Sequence, residues 1–307
     1  MTAHVLQLRS RVSDAAVEAM AGARLRREQL PIVSSVGDVD IYRPDGAPLI
    51  MIRRGAVPQE VGDTAFPHLH LCAHKYSSEN RGAYAGLRRG HRLRPDGSLS
   101  KNSRTMDDEG NVARVKSGVM GYFDRQGGYH PYCRAVAFTG HEADLWGELQ
   151  PLFQAAARAY AEAAPKRYAT QLEAAKKVHP DWVVKGTPFT TFTVNSNVLG
   201  AIHTDKGDFK EGMGVITCHR RGTYAGALLG FPQYGVGVEL FDRDLILFNP
   251  HEWHGVTNFE GELSEDHERV TVVYYMRRRM VECGSAAEEF QRARSLKEDL
   301  GDSDDAT

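Results

Sequence analysis

Apolar residues along the chain follow two rhythms, helical spacing through the first part and short β-like runs through the second. Over residues 12–29, Val12, Ala16, Val17, Met20 and Leu25 recur among Arg and Glu, which predicts an amphipathic helix. Residues 39–43 and 49–53 read as two strands around Pro44-Asp45-Gly46, where Pro fixes φ and Gly closes the turn. Between residues 74 and 126 sustained apolar runs give way to Gly, Ser, Asn and Arg, with turn signals at Pro95-Asp96-Gly97 and Asp108-Glu109-Gly110. That stretch is either a mobile loop region or an insertion covering a substrate. Residues 135–138 predict a short strand. Residues 142–178 then return to helical spacing through Leu145, Leu149, Leu152, Ala156 and Tyr160, with Pro165 splitting them into two helices.

Beyond Gly186 the period changes. Residues 189–194, 214–219, 225–229, 236–241, 245–249 and 270–276 are β-branched or aromatic runs bounded by turns, the pattern of a sandwich or barrel. No internal repeat accompanies it.

Composition narrows the function classes. The chain has 307 residues, 41% of them apolar, enough for a substantial core in one large domain or two ordinary ones. Its formal net charge of −2 weighs against a protein that holds nucleic acid by bulk attraction alone. Cys72, Cys133, Cys218 and Cys283 are far apart and form no CxxC pair, so they read as reduced, mostly buried thiols. No apolar run approaches the ~20 residues needed to span a bilayer. The start, Met1 to Val5, lacks a basic segment followed by an apolar one. The expectation is a cytoplasmic protein with no membrane partner.

The chemistry is concentrated in His203-Thr204-Asp205 and His254. Two imidazoles and one carboxylate on one face of a metal leave three positions open, two for a chelating 2-oxo acid and one for dioxygen. This is the set used by non-haem iron(II) oxygenases. If His203 and Asp205 lie on a strand, residues i and i+2 point the same way and grip one ion, while His254 comes from a second strand after residues 245–249. Arg269 begins the run at 270–276. Its planar fork suits the distal carboxylate of 2-oxoglutarate, and Thr271, two residues on, offers a hydroxyl on the same side. His251 and His254 are three apart after Asn249-Pro250, which is not the four-residue helical spacing of a zinc protease. The Gly-rich residues 222–237 lack the Lys-Ser/Thr end of a phosphate loop.

These pieces, "GAIHTDKGD", "DLILFNPHEWHGVTNF" and "RVTVVYYMRR", resemble the TET/JBP group of 2-oxoglutarate dioxygenases, which oxidise the C5-methyl of pyrimidines in DNA. "NRGAYAG" and "GYFDRQGGYHPYCRAVAFT" are similar to phage and bacterial members. The resemblance implies an α+β fold with a double-stranded β-helix (jelly-roll) core, flanking helices and an N-terminal extension. It implies Fe(II) on His203, Asp205 and His254, 2-oxoglutarate on Arg269, dioxygen as co-reactant and DNA as partner. The expected division is an extension over residues 1–73 packed on the core and a dioxygenase domain over 74–283. The jelly roll itself would occupy about 187–277, and residues 284–307 a polar helix with a frayed acidic tail at Asp302-Ser-Asp304-Asp305. The cysteine-rich zinc region of the animal members is missing.

The resemblance also places Asp208 against the substrate base, where a carboxylate accepts from the amino group of cytosine. Its other reading is a loop Asp facing water between Lys206 and Lys210. Asn195 and Asn197, ahead of the metal segment, are either substrate contacts or turn residues. Arg81, Arg88, Arg89, Arg92 and Arg94 either follow a phosphate backbone or form a solvated loop. The expected reaction converts 5-methylcytosine in DNA to 5-hydroxymethylcytosine. The alternatives are thymine, free pyrimidine nucleosides or nucleotides in a biosynthetic pathway, and a non-catalytic jelly-roll metal- or ligand-binding module.

Overall fold

Two hydrophobic layers meet on one sheet because its central strands are apolar on both faces. The computed structural model describes residues 3–34, 37–78, 81–82, 84–107, 109–126, 130–205 and 207–304. Met1, Asp108 of a predicted turn, Lys206 and the end from Asp305 lie outside them.

In chain order the N-terminal part runs β1 (His4–Gln7), α1 (Asp14–Glu18), β2 (Ile32–Ser34), β3 (Val39–Tyr42), β4 (Pro48–Arg53) and α2 (Gln59–Lys75). A hairpin of β5 (Arg89–Leu93) and β6 (Leu99–Thr105) leads to β7 (Ser117–Phe123) and β8 (Arg134–Ala135). Helices α3 (Ala137–His141), α4 (Ala143–Glu148), α5 (Gln150–Ala163) and α6 (Pro165–Ala175) follow. The strand-rich part is β9 (Thr191–Ser196), β10 (Gly214–Arg221), β11 (Ala225–Gly226), β12 (Leu229–Phe231), β13 (Val236–Val238) and β14 (Leu245–Phe248). It closes with β15 (Gly255–Val256), β16 (Phe259–Glu260), β17 (Glu268–Tyr275) and the helix α7 (Ala286–Asp304).

The major sheet has the order β1-β3-β4-β14-β10-β17-β9-β7-β8, and the minor sheet β15-β12-β13-β2. Period-2 alternation divides the side chains. On one face Phe192, Val215, Leu247, Val272 and Tyr274 pack under α2 and α5, against Leu69, Cys72, Phe153 and Tyr160. On the other, Ile216, Ile246 and Phe248 meet Leu229, Phe231, Val236 and Val238 of the minor sheet. Each such buried side chain contributes roughly 1.5–3 kcal/mol. The result is an α+β fold with an open jelly-roll core, helices on its outer face and N-terminal strands extending both sheets. The interior between the sheets is where a site can be enclosed.

Several expectations change. The helix at 12–29 shrinks to α1, because Gly22 takes a positive φ of 79° and donates its N–H to the Ile202 carbonyl at 2.8 Å. Of residues 135–138 only Ala135 is strand, and from Ala137 the chain is already helix α3. The stretch 74–126 is no plain loop: it supplies a hairpin and β7, which pairs with β9 near one edge of the major sheet. Cys133 and Cys283 are not free thiols but a disulfide with a Cα–Cα distance of 5.9 Å, tying the segment before α7 to β8; Cys72 and Cys218 are free and buried. A sequence separation of 150 residues hid that pairing. Within residues 142–178 the chain is helical with the expected break before Pro165, but a second break at Leu149 makes three helices, α4, α5 and α6, where two were expected. No helix among the described residues is long and apolar enough to cross a membrane.

Candidate active site

The inner face of β17 presents Arg269, Thr271, Val273 and Tyr275 to a cavity of about 270 Å³ between the sheets. His203, Asp205 and His254 line the same cavity. They are not held by regular strands. His203 and His254 form a single antiparallel bridge in which each N–H donates to the other's carbonyl, at 2.9 and 3.0 Å. The Asp205 N–H donates to Pro250 at 2.8 Å. Three backbone bonds thus do what an i, i+2 strand pair was expected to do.

Each imidazole is aimed by a carbonyl. His203 Nδ1 lies 2.8 Å from the Ala201 oxygen and His254 Nδ1 2.8 Å from that of Glu252. A carbonyl only accepts, so Nδ1 carries the proton and Nε2 offers its lone pair to the cavity. Asp205 reaches both, with Oδ1 3.6 Å from His203 Nε2 and Oδ2 3.6 Å from His254 Nε2. All three donor atoms fall within 4.8 Å of one another. Burial, and then the neighbouring His203, push the His254 pKa down to about 4 against the pull of Asp205, so the ring stays neutral and able to ligate at pH 7. The donor set and its orientation fit one iron(II) ion.

Arg269 is 4% exposed, and no described carboxylate lies within ion-pair distance of it. A buried guanidinium without an anion is costly, and this one opens on the cavity that holds the three donors. That fits the distal carboxylate of a 2-oxo dicarboxylic acid.

The other predicted residues divide. Asn195 lines the cavity and accepts from the Ser117 hydroxyl at 2.7 Å. Arg81 lines it too, donating to Thr193 Oγ1 at 3.1 Å. Asp208 lines it, and burial followed by the Asp205 charge raises its carboxyl well above the ordinary value, against Arg277. Asn197 does not line it. At φ 52° its side chain accepts the Arg269 N–H at 2.8 Å and donates to the His267 carbonyl at 3.2 Å, fixing the start of β17. Arg88, Arg89 and Arg94 are exposed and outside the lining; the Arg92 side chain lies outside the described residues.

Sequence reasoning missed Tyr84, whose ring stands edge-on to His203 at 4.9 Å, and Tyr275, which the alternation of β17 could have supplied. Tyr84 sits in "NRGAYAG", where turn residues mask it. Arg277 also lines the cavity, its guanidinium held by Asp124 at 2.9 and 3.0 Å.

Comparison with known proteins bears on this geometry. The family Tet_JBP, described as the oxygenase domain of the 2OGFeDO superfamily, matches residues 118–278. Thymine dioxygenase JBP1 of Leishmania tarentolae is 37% identical over 186 residues, 60% of this chain and 22% of that protein. The Trypanosoma brucei brucei JBP1 is 33% identical over 186 residues, again 60% of this chain and 22% of the relative. This chain therefore spans about a fifth of the curated relatives it matches. Among solved structures, NgTET1 in complex with 5mC DNA aligns with a TM-score of 0.56 at 8% identity, covering 92% of this chain and 100% of that one, a likeness of fold.

Proposed function

This chain belongs to the Tet/JBP family of 2-oxoglutarate- and iron(II)-dependent oxygenase domains, and on that footing we propose that it hydroxylates the C5-methyl group of a pyrimidine base in DNA. The observation that carries the reading is the cavity: three metal-competent donors and a buried, unpaired guanidinium open on the same space. The relatives named thymine dioxygenases and the fold shared with a protein solved on 5mC DNA support the substrate class.

His203, Asp205 and His254 would hold the iron, and Arg269 with Thr271 the 2-oxoglutarate. Bound there, iron with 2-oxoglutarate and dioxygen supplies the oxidation that turns the methyl C–H into C–OH as the 2-oxo acid leaves as succinate and carbon dioxide. The chain's own work is placement. The Ala201 and Glu252 carbonyls aim the imidazoles. Arg269 grips one carboxylate end-on with its fork. Ile216, Leu229, Phe248 and Val256 wall the centre against water. A duplex base must leave the stack to reach so enclosed a site, and Asp208, Asn195 and Arg81 stand on the wall it would meet.

Asp208 sets the base. Ionised, it offers only acceptors and suits the amino group of 5-methylcytosine; protonated, it also donates and suits O4 of thymine. The raised carboxyl and the names of the relatives favour thymine as a second reading beside 5-methylcytosine. The test is turnover on duplex DNA and on free nucleotides carrying either base, for wild type and Asp208→Asn. A base preference of roughly 1–3 kcal/mol that relaxes in Asp208→Asn supports the assignment. Equal rates on both bases in wild type remove Asp208 from recognition, and turnover of free nucleotides alone removes DNA.

A further inference from the structure

A second group of metal-competent donors lies among the described residues, away from the cavity: His70, His74 and Glu268. His70 and His74 are four apart on α2, so their rings project from one face of the helix. The rings stack at 4.0 Å with planes 20° apart. Glu268 opens β17. Its neighbour Arg269 points into the cavity, and strand alternation sends Glu268 the other way, under α2. Both Glu268 oxygens are 2.9 Å from His70 Nδ1, and Oε1 is 3.2 Å from His74 Nε2.

We propose that His70, His74 and Glu268 bind a divalent cation of the zinc class that fastens α2 to the outer face of β17, directly behind Arg269. Two imidazoles and a carboxylate form a known zinc donor set, and bonds of about 2.0 Å at the tetrahedral angle put donors roughly 3.3 Å apart. The two imidazole-to-carboxylate separations here, 2.9 and 3.2 Å, need only small adjustment, and all three donor atoms lie within 4.8 Å of one another. Ser196 on β9 donates to Glu268 at 2.6 Å, the kind of outer hydrogen bond that orients a ligating carboxylate. The Glu268 carboxylate supplies the negative charge a dication would meet. His70 is half-exposed, so water completes the fourth position. The alternative, a hydrogen-bonded His-His-Glu cluster that binds no ion, makes the opposite prediction in the experiment.

The full chain is stripped with chelator, titrated with Zn²⁺ alone, and its bound metal counted after gel filtration. The iron ligands bind zinc too, so the informative protein is Asp205→Ala/His254→Ala, which removes that site whatever its role. It should retain one equivalent per chain, with a Tm rise of roughly 5 °C at a hundredfold excess over Kd. Adding His70→Ala and His74→Ala should abolish both the equivalent and the rise. His70→Gln, at a half-exposed position, should weaken zinc at least tenfold while leaving the metal-free Tm unchanged. No zinc on Asp205→Ala/His254→Ala, or unchanged zinc when His70 is replaced, overturns the proposal without touching the oxygenase reading.

Discussion

In the proposed function, cosubstrate recognition rests on Arg269. Truncating one member of a buried, charge-assisted contact costs on the order of 2–5 kcal/mol, because the other charge is left desolvated. Arg269→Ala should therefore weaken 2-oxoglutarate binding at least about thirtyfold in equilibrium titrations, with DNA affinity unchanged. An unaltered 2-oxoglutarate Kd would move the anchor to Arg81 or Arg277, the other guanidinium groups on the cavity wall. At this scale much was legible. His203, Asp205, His254, Arg269 and Thr271 stand out because their types and order serve one chemistry, and the fold brings all five to one cavity. Asn197 was not legible as a backbone clamp, since its role depends on a positive φ that only the fold imposes. Nor was Tyr84, which reaches His203 across more than a hundred residues of chain.

At the scale of elements, α2 and β7 escaped the sequence. Strand β7 carries Gly118 and Gly121, which thin its alternation, and α2 carries Pro67 inside the helix. Packing explains the glycine. A Cβ at position 118 would sit 2.3 Å from the Cys72 carbonyl oxygen, an atom of helix backbone that cannot swing away. Gly118→Ala should push α2 off the sheet and destabilise by at least the 1–3 kcal/mol of an overpacked core. A urea midpoint equal to wild type would contradict this contact. The C-terminal helix was visible from its composition, and its start is a capping box: the Glu288 N–H donates to Ser285 and the Ser285 N–H to Glu288.

Glu289, one residue on, anchors α7 and gives the element a pH limit. Burial pulls its pKa up, but Arg125 and the N–H groups of Cys133 and Gly284 pull it down further, to about 2 from 4.5. A carboxyl depressed in the folded state stabilises fully above its unfolded pKa, and that stability fades as pH falls through the folded one. The window is pH 4.5 down to about 2, and the stake on the order of 3 kcal/mol. Denaturation midpoints in this range should fall more steeply for wild type than for Glu289→Gln; parallel curves would dissociate Glu289 from the acid response.

Across the whole molecule, the change from helical to strand rhythm forecast two layers, because continuous apolar runs such as residues 245–248 must be covered on both faces. It could not forecast which distant segments cover them. The N-terminal strands complete both sheets, and the Cys133–Cys283 disulfide draws the last helix to the first half of the chain. Those are tertiary pairings with no local signature. Together the layers enclose the donors and the guanidinium in one cavity, and the central claim is that this cavity oxidises a pyrimidine methyl in DNA. The most direct test is to incubate the protein with iron(II), 2-oxoglutarate and methylated duplex DNA under ¹⁸O₂, then weigh nucleosides and organic acid. The account predicts a labelled oxygen in a 5-hydroxymethylpyrimidine nucleoside and one in succinate, and neither with Asp205→Ala. Unmodified nucleosides from wild type, or equal product from Asp205→Ala, would contradict it.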